Sequence, residues 1–244
     1  MTTGTEPEDP ETINHDREIL RLEHHLREMT ELAVGMVADG TRALLTGDTA
    51  LSQSVVSRDA PLDRYDLNIE TETIRLVAVM QPEGPDLRTI EAILKIASCV
   101  DRVGRLGFDI ARYISDAKVP SEEPGRLLAE MDRRARAMVE KAIGALLARD
   151  ATAAKAIFAL DDEVDALYRQ LRQRLIDLLR SGGEGTERLV YMLLASRHLE
   201  RVADNACKVA EKTVYAITGE RRVEYLPPRT RSGSPPAVGP PPSR

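Results

Sequence analysis

The chain has 244 residues, 42% of them hydrophobic, but aromatics are only 3% and Trp is absent. A core must therefore be built from Leu, Ile, Val and Ala, the usual material of helix bundles, and the length allows one domain or two small ones. A net charge of −6 excludes a general nucleic-acid binder and gives no attraction to anionic membranes or free phosphate, so any bound anion needs a bridging cation or a local basic spot.

Residues 1–12 are acidic and polar, with no apolar h-region, and read as a disordered leader rather than a signal peptide. From residue 13 the pattern is helical: Ile19, Leu22, Leu26, Met29, Leu32, Ala33, Met36, Val37 and Leu44 recur at steps of three and four up to Gly47-Asp48. A second helix is predicted over residues 49–80, with Val55, Val56, Leu62, Ile69, Ile74, Leu76 and Val77 apolar. It stops where Pro82 and Pro85 forbid continuation. A third is predicted over 86–117, carried by Leu87, Ile90, Ile93, Leu94, Ile96, Val100, Val103, Leu106, Ile110 and Ile114.

After a Pro- and Gly-containing break the pattern begins again, with a helix over 127–149. A constant offset pairs Met29 with Met131, Met36 with Met138, Asp59 with Asp161 and Asp63 with Asp165. A slightly smaller offset, taken up in the turn at 181–185, pairs Asp101 with Glu200, Val103 with Val202 and Ala111 with Ala210. A register break confined to a turn marks an internal duplication. The expected fold is all-α: two tandem three-helix bundles over 13–119 and 122–219. A Pro-rich disordered tail over 223–244 follows. No apolar run is long enough to span a membrane, and Cys99 and Cys207 lack metal spacing, so they are expected to be buried reduced thiols in a cytoplasmic protein.

The chemistry-bearing residues are carboxylates four apart, hence on one helix face. Repeat two carries Asp161 and Asp165 on its second helix and Glu200 and Asp204 on its third; repeat one carries Asp59 and Asp63, then Asp101 with Arg105 in place of the second acid. If the two helices of each repeat are antiparallel neighbours, the four side chains share a rim. Two carboxylates about 5 Å apart repel by roughly 3 kcal/mol at an effective dielectric of 20, so a packed set needs protons, basic partners or a cation such as Fe, Mn, Zn or Mg. By spacing alone these pairs read first as exposed salt-bridge ladders, with Arg197 and Lys208 flanking Glu200 and Asp204, and Arg169 flanking Asp165. His15, His24 and His25 read as solvated. His198 lies on a different face from Glu200 and reads as packing. No phosphate loop, nucleophilic triad or HExxH motif is present, and catalysis is not supported.

The stretch Leu199-Glu200-Arg201-Val202-Ala203-Asp204, the turn Gln81-Pro82-Glu83-Gly84-Pro85-Asp86-Leu87-Arg88 and the duplicated architecture resemble the PhoU family of phosphate-transport accessory proteins. The resemblance spans residues 13–219. It implies a cytoplasmic homodimer that restrains phosphate uptake and phosphate-starvation signalling, with a phosphate ABC-transporter ATPase and a sensor histidine kinase as partners. It further implies metal at the E(D)xxxD motifs, carried here by Glu200 and Asp204, and in repeat one by Asp101 alone. Gly107-Phe108 also departs from the family pattern, and Pro61 is expected to kink the second helix beside Asp59 and Asp63. Rival readings are an adaptor for a different transporter or kinase, and a metal-carboxylate hydrolase.

Overall fold

The structure, a computed structural model, describes residues 15–117, 122–182 and 185–220; the expected leader over 1–12 and tail over 223–244 lie outside them. These residues form seven helices: α1 His15–Thr46, α2 Thr49–Val56, α3 Asp59–Met80, α4 Gly84–Ala111, α5 Glu123–Leu147, α6 Ala151–Ser181 and α7 Thr186–Thr218. There is no strand among the described residues. The first repeat is α1 to α4 and the second α5 to α7. Asp48 and Asp150, equivalent in the two repeats, cap the following helix: Asp48 accepts from the Leu51 amide, and Asp150 from those of Thr152 and Ala153, all at 2.9 Å.

The three- and four-residue apolar rhythm buries as predicted. Leu22, Leu26, Met29 and Met36 of α1 are fully enclosed with Ile90, Ile93, Ile96 and Ile110 of α4. The second repeat does the same with Leu128, Met131, Leu199 and Val202. The two bundles are not separate cores. α4 packs along α7 and α1 along α5, so a central layer of four helices is flanked by α3 on one side and α6 on the other. One continuous apolar cluster results. Each fully buried Leu or Ile contributes about 1.5–3 kcal/mol.

Three boundaries differ from the sequence reading. The single helix expected over 49–80 is broken, not kinked, at Ser57 and Arg58. Pro61 sits in the first turn of α3, where its missing N–H would have had no intrahelical partner, and Arg58 is pinned back to Asp39 of α1 at 2.8 Å. The helix expected over 86–117 ends at Ala111, because Arg112 and Tyr113 tighten onto Asp109 and Ile110. The helix expected from 127 already starts at Glu123, with Pro124 in its first turn.

The short segment after α4 is strapped to α7. Ser115 donates to Glu187 at 2.9 Å, the Tyr113 hydroxyl meets His198 Nε2 at 3.0 Å, and Tyr113 stacks on Tyr191. Arg188 donates to the carbonyls of Leu44 and Leu45, closing the C-terminus of α1, and to that of Ala117 at 3.2 Å. Gly107 has a packing reason. A Cβ there would lie 2.6 Å from the Met36 carbonyl carbon and the Val37 nitrogen, so α1 and α4 approach backbone to backbone.

Candidate functional site

In the first repeat Asp59 and Asp63 project from the N-terminal half of α3, and Asp101 and Arg105 from α4 beside it. Arg105 reaches all three acids. Its Nε donates to Asp101 Oδ2 at 2.9 Å, its Nη2 to Asp63 Oδ1 at 2.6 Å, and its Nη1 lies 3.7 Å from Asp59. The hydrogen bond to Asp101, reinforced by the neighbouring charges, pushes the Arg105 guanidinium pKa above its ordinary value. The sequence reading had the pair within α4 but not its cross-helix reach. It also missed Asp66, one turn beyond Asp63, whose carboxyl pKa is raised by burial and by the charge of Asp101.

The second repeat places Asp161 and Asp165 on α6 and Glu200 and Asp204 on α7, two helices packed along their length. Position for position, Asp204 stands where Arg105 stands in repeat one. Among the described residues no ion pair forms at Asp161, Asp165 or Asp204. Burial, then the charges of Asp165 and Asp204, push the Asp161 carboxyl up to about 6. Asp165 is raised by burial and by Asp204, while Arg169 opposes the shift. Glu200 differs, being mostly buried and tied to Arg197 one turn earlier. The predicted ladder is thus only partly present, since Lys208 turns to Asn205 at 3.4 Å instead of to Asp204.

Cys207 is an unforeseen neighbour. Its buried thiol lies near Asp161, and burial together with the charges of Asp161 and Asp204 pushes its pKa far up, which disfavours the thiolate. Cys99 is likewise buried and free. The other candidates behave as packing or surface groups. His198 stacks on Tyr113, and burial lowers its pKa. His25 meets Glu72 at 3.0 Å, and His24 meets Glu28 at 3.4 Å.

The donor chemistry of the two rims separates them. In repeat one a guanidinium already occupies the space a cation would need, and the residues do not fit a metal. In repeat two the hard, mutually repelling oxygens of Asp161, Asp165 and Asp204 fit a hard or borderline cation. As the side chains stand, no group of three or more His, Cys, Asp or Glu among the described residues closes on one point.

The PhoU domain model matches residues 26–114 and 128–213, one match per repeat. The chain belongs to the PhoU family. A relative from Rhizobium meliloti, named phosphate-specific transport system accessory protein PhoU homolog, is 32% identical over 84% of this chain and 87% of its own length. One of the same name from Clostridium acetobutylicum is 27% identical over 84% of this chain and 95% of its own. Crystallised PhoU from Pseudomonas aeruginosa superposes with a TM-score of 0.79 at 26% identity, covering 85% of this chain and 100% of its own. The phosphate transport system regulatory protein PhoU from Streptococcus pneumoniae shares the fold, with a TM-score of 0.78 at 24% identity. No described helix is long and apolar enough to cross a membrane.

Proposed function

We propose that the protein is a non-enzymatic regulator of phosphate homeostasis. It restrains a phosphate ABC transporter and phosphate-starvation signalling through protein contacts, in the cytoplasm and as a homodimer. The observation that carries this reading is the match of a PhoU domain to each repeat, in a fold shared with crystallised PhoU proteins. The names of the relatives as phosphate-transport accessory proteins support the same direction. An adaptor role toward another transporter or kinase is the alternative. A pull-down with the tagged protein separates them: recovery of a phosphate-transporter ATPase supports the first, and its absence with another transporter or kinase recovered supports the second.

On this reading Asp161, Asp165 and Asp204 hold a cation on the second rim, and Glu200 joins them if it leaves Arg197. A bound Fe, Mn, Zn or Mg would supply a fixed positive charge between α6 and α7, where the carboxylates otherwise repel. The rim of repeat one would hold none, because Arg105 supplies that charge from within the chain. Elemental analysis after purification without chelator tests this. Wild type should carry metal and a Glu200→Ala/Asp204→Ala variant much less; equal, negligible metal in both would remove the site and leave the regulatory reading standing.

A further inference from the structure

At one end of the molecule the first turns of α1 and α4 meet the last turn of α7 and the corner between α5 and α6. They enclose an open groove of about 510 Å3 whose apolar lining is Ile19, Leu20, Pro85, Ala216 and Ile217. None of the carboxylates of either rim lines it. Leu20 is 62% exposed, an apolar side chain left facing water in the groove.

The groove wall is rigidly built. Arg149 lines it with a left-handed backbone, φ 53°, at the position where repeat one has Gly47 with φ 73°. A non-glycine residue pays about 1–2 kcal/mol for that conformation. The geometry directs its guanidinium to Glu23 of α1 at 2.6 Å, and Glu23 is itself only 7% exposed. The repeats are thus latched together at the groove by an ion pair that has no counterpart at Gly47.

The described residues also end here. Ala216 and Ile217 of α7 are part of the lining, and Gly219, φ 77°, caps α7 with its amide on the Tyr215 carbonyl at 2.9 Å. A Cβ on Gly219 would sit 3.7 Å from the Arg88 side chain, so the end of α7 lies against the first turns of α4. The described residues end at Glu220, and the sequence continues with Arg221-Arg222-Val223-Glu224-Tyr225-Leu226-Pro227-Pro228 and on to Arg244.

We propose that the groove is the docking site of the chain's own residues 223–228. The segment matches the apolar lining: Val223, Tyr225 and Leu226 are apolar, and a Pro-Pro pair such as 227–228 favours extended conformers, which reduces the entropy lost on docking. Arg221 and Arg222 follow Glu220 directly in the sequence, and the start of α4 carries the opposite charge on Glu83 and Asp86. Reach is ample, since eight extended residues span about 26 Å. The tether is short, so the local concentration of the segment is about 1 mM, and an intrinsic Kd near 0.1 mM gives a roughly tenfold excess of docked over free tail.

The test uses the full chain. Cys99 and Cys207 are buried, so a nitroxide placed through Thr230→Cys labels one accessible site. In the docked state it strongly broadens the amide signals of Leu20, Thr89 and Ile217, and most of their intensity is lost. Adding Leu226→Ser on the tail, or Leu20→Asp at the exposed groove position, restores those signals. Sharp groove signals in the labelled chain overturn the proposal. Broadening that appears only when labelled protein is mixed with an isotope-labelled, unspin-labelled copy also overturns it, by assigning the groove to the tail of a second molecule.

Discussion

The two rims are built from the same duplicated helices but differ in what offsets their carboxylates. In repeat one Arg105 of α4 spans to α3 and meets Asp59, Asp63 and Asp101, offsetting part of their charge from inside the chain. In repeat two the equivalent position is Asp204; Asp161 is held up to about 6 by burial and like charges, and the rim is left needing protons or a cation. The same contrast extends into the packing. Gly107 lets α1 and α4 touch backbone to backbone, whereas its equivalent in α7 is the buried Ala206. A single exchange, Arg105 in the first rim against Asp204 in the second, gives one rim a cation of its own that the other lacks.

The largest expected effect tests the packing half of this contrast. Gly107→Ala puts a Cβ 2.6 Å from the backbone of Met36 and Val37, and overpacking against backbone should cost about 2–3 kcal/mol. The equivalent Ala206→Gly should cost about 1 kcal/mol, chiefly from helix propensity. Equilibrium urea unfolding measures both, and equal losses would mean that the two helix pairs are equally close.

Next comes removal of the internal cation. Arg105→Ala strands three carboxylates on the first rim. Because Arg105 is half exposed, the loss should be about 1 kcal/mol at low salt and shrink as salt rises. Arg105→Asp placed in an Asp204→Arg background, where the second rim no longer takes a cation, should make the melting temperature rise on adding Mn2+, whereas Asp204→Arg alone should not respond. A melting temperature indifferent to Mn2+ in the double variant would break the equivalence of the rims.

The converse exchange, Asp204→Arg, should abolish metal retention and raise the stability of the metal-free protein by about 0.5–1 kcal/mol. Unfolding in chelator beside elemental analysis checks both parts.

The smallest effect is in the pH profile. The folded-state pKa of Asp161, about 6, lies above its ordinary value of 3.8, so folding takes up a proton between those values. In chelated protein its contribution is most favourable below about pH 4 and is lost as pH rises through about 6. Asp161→Asn should flatten that window in a series of thermal melts, and an unchanged slope would show that the carboxyl is not held up by its neighbours.

The helices, their order and the duplication were legible along the chain because periodicity and caps are local: Asp48 and Asp150 announce the following helices by side chains that reach their own next turn. The break at Ser57 and Arg58 was not legible. Its cause lies partly outside the segment, in the ion pair from Arg58 to Asp39 on another helix. The carboxylate pairs on each helix were legible for the same reason as the caps. Cys207 against Asp161, and Asp66 beside Asp101, were missed because they depend on the rotation of one helix about its axis relative to the next.

Residue spacing along one helix sufficed for the all-α fold, the paired repeats and the acid at each candidate position, since a helix fixes the geometry of neighbours three and four apart. It could also pair Arg105 with Asp101. Only the packing of α3 on α4 brought Asp59 and Asp63 within reach of the same guanidinium, and only the packing of α6 on α7 left Asp161, Asp165 and Asp204 without one. The merging of two predicted bundles into one core was decided the same way, by which apolar faces of α1, α4, α5 and α7 found each other. Burial against a partner helix is set by side-chain interlocking between distant segments, which no local spacing records.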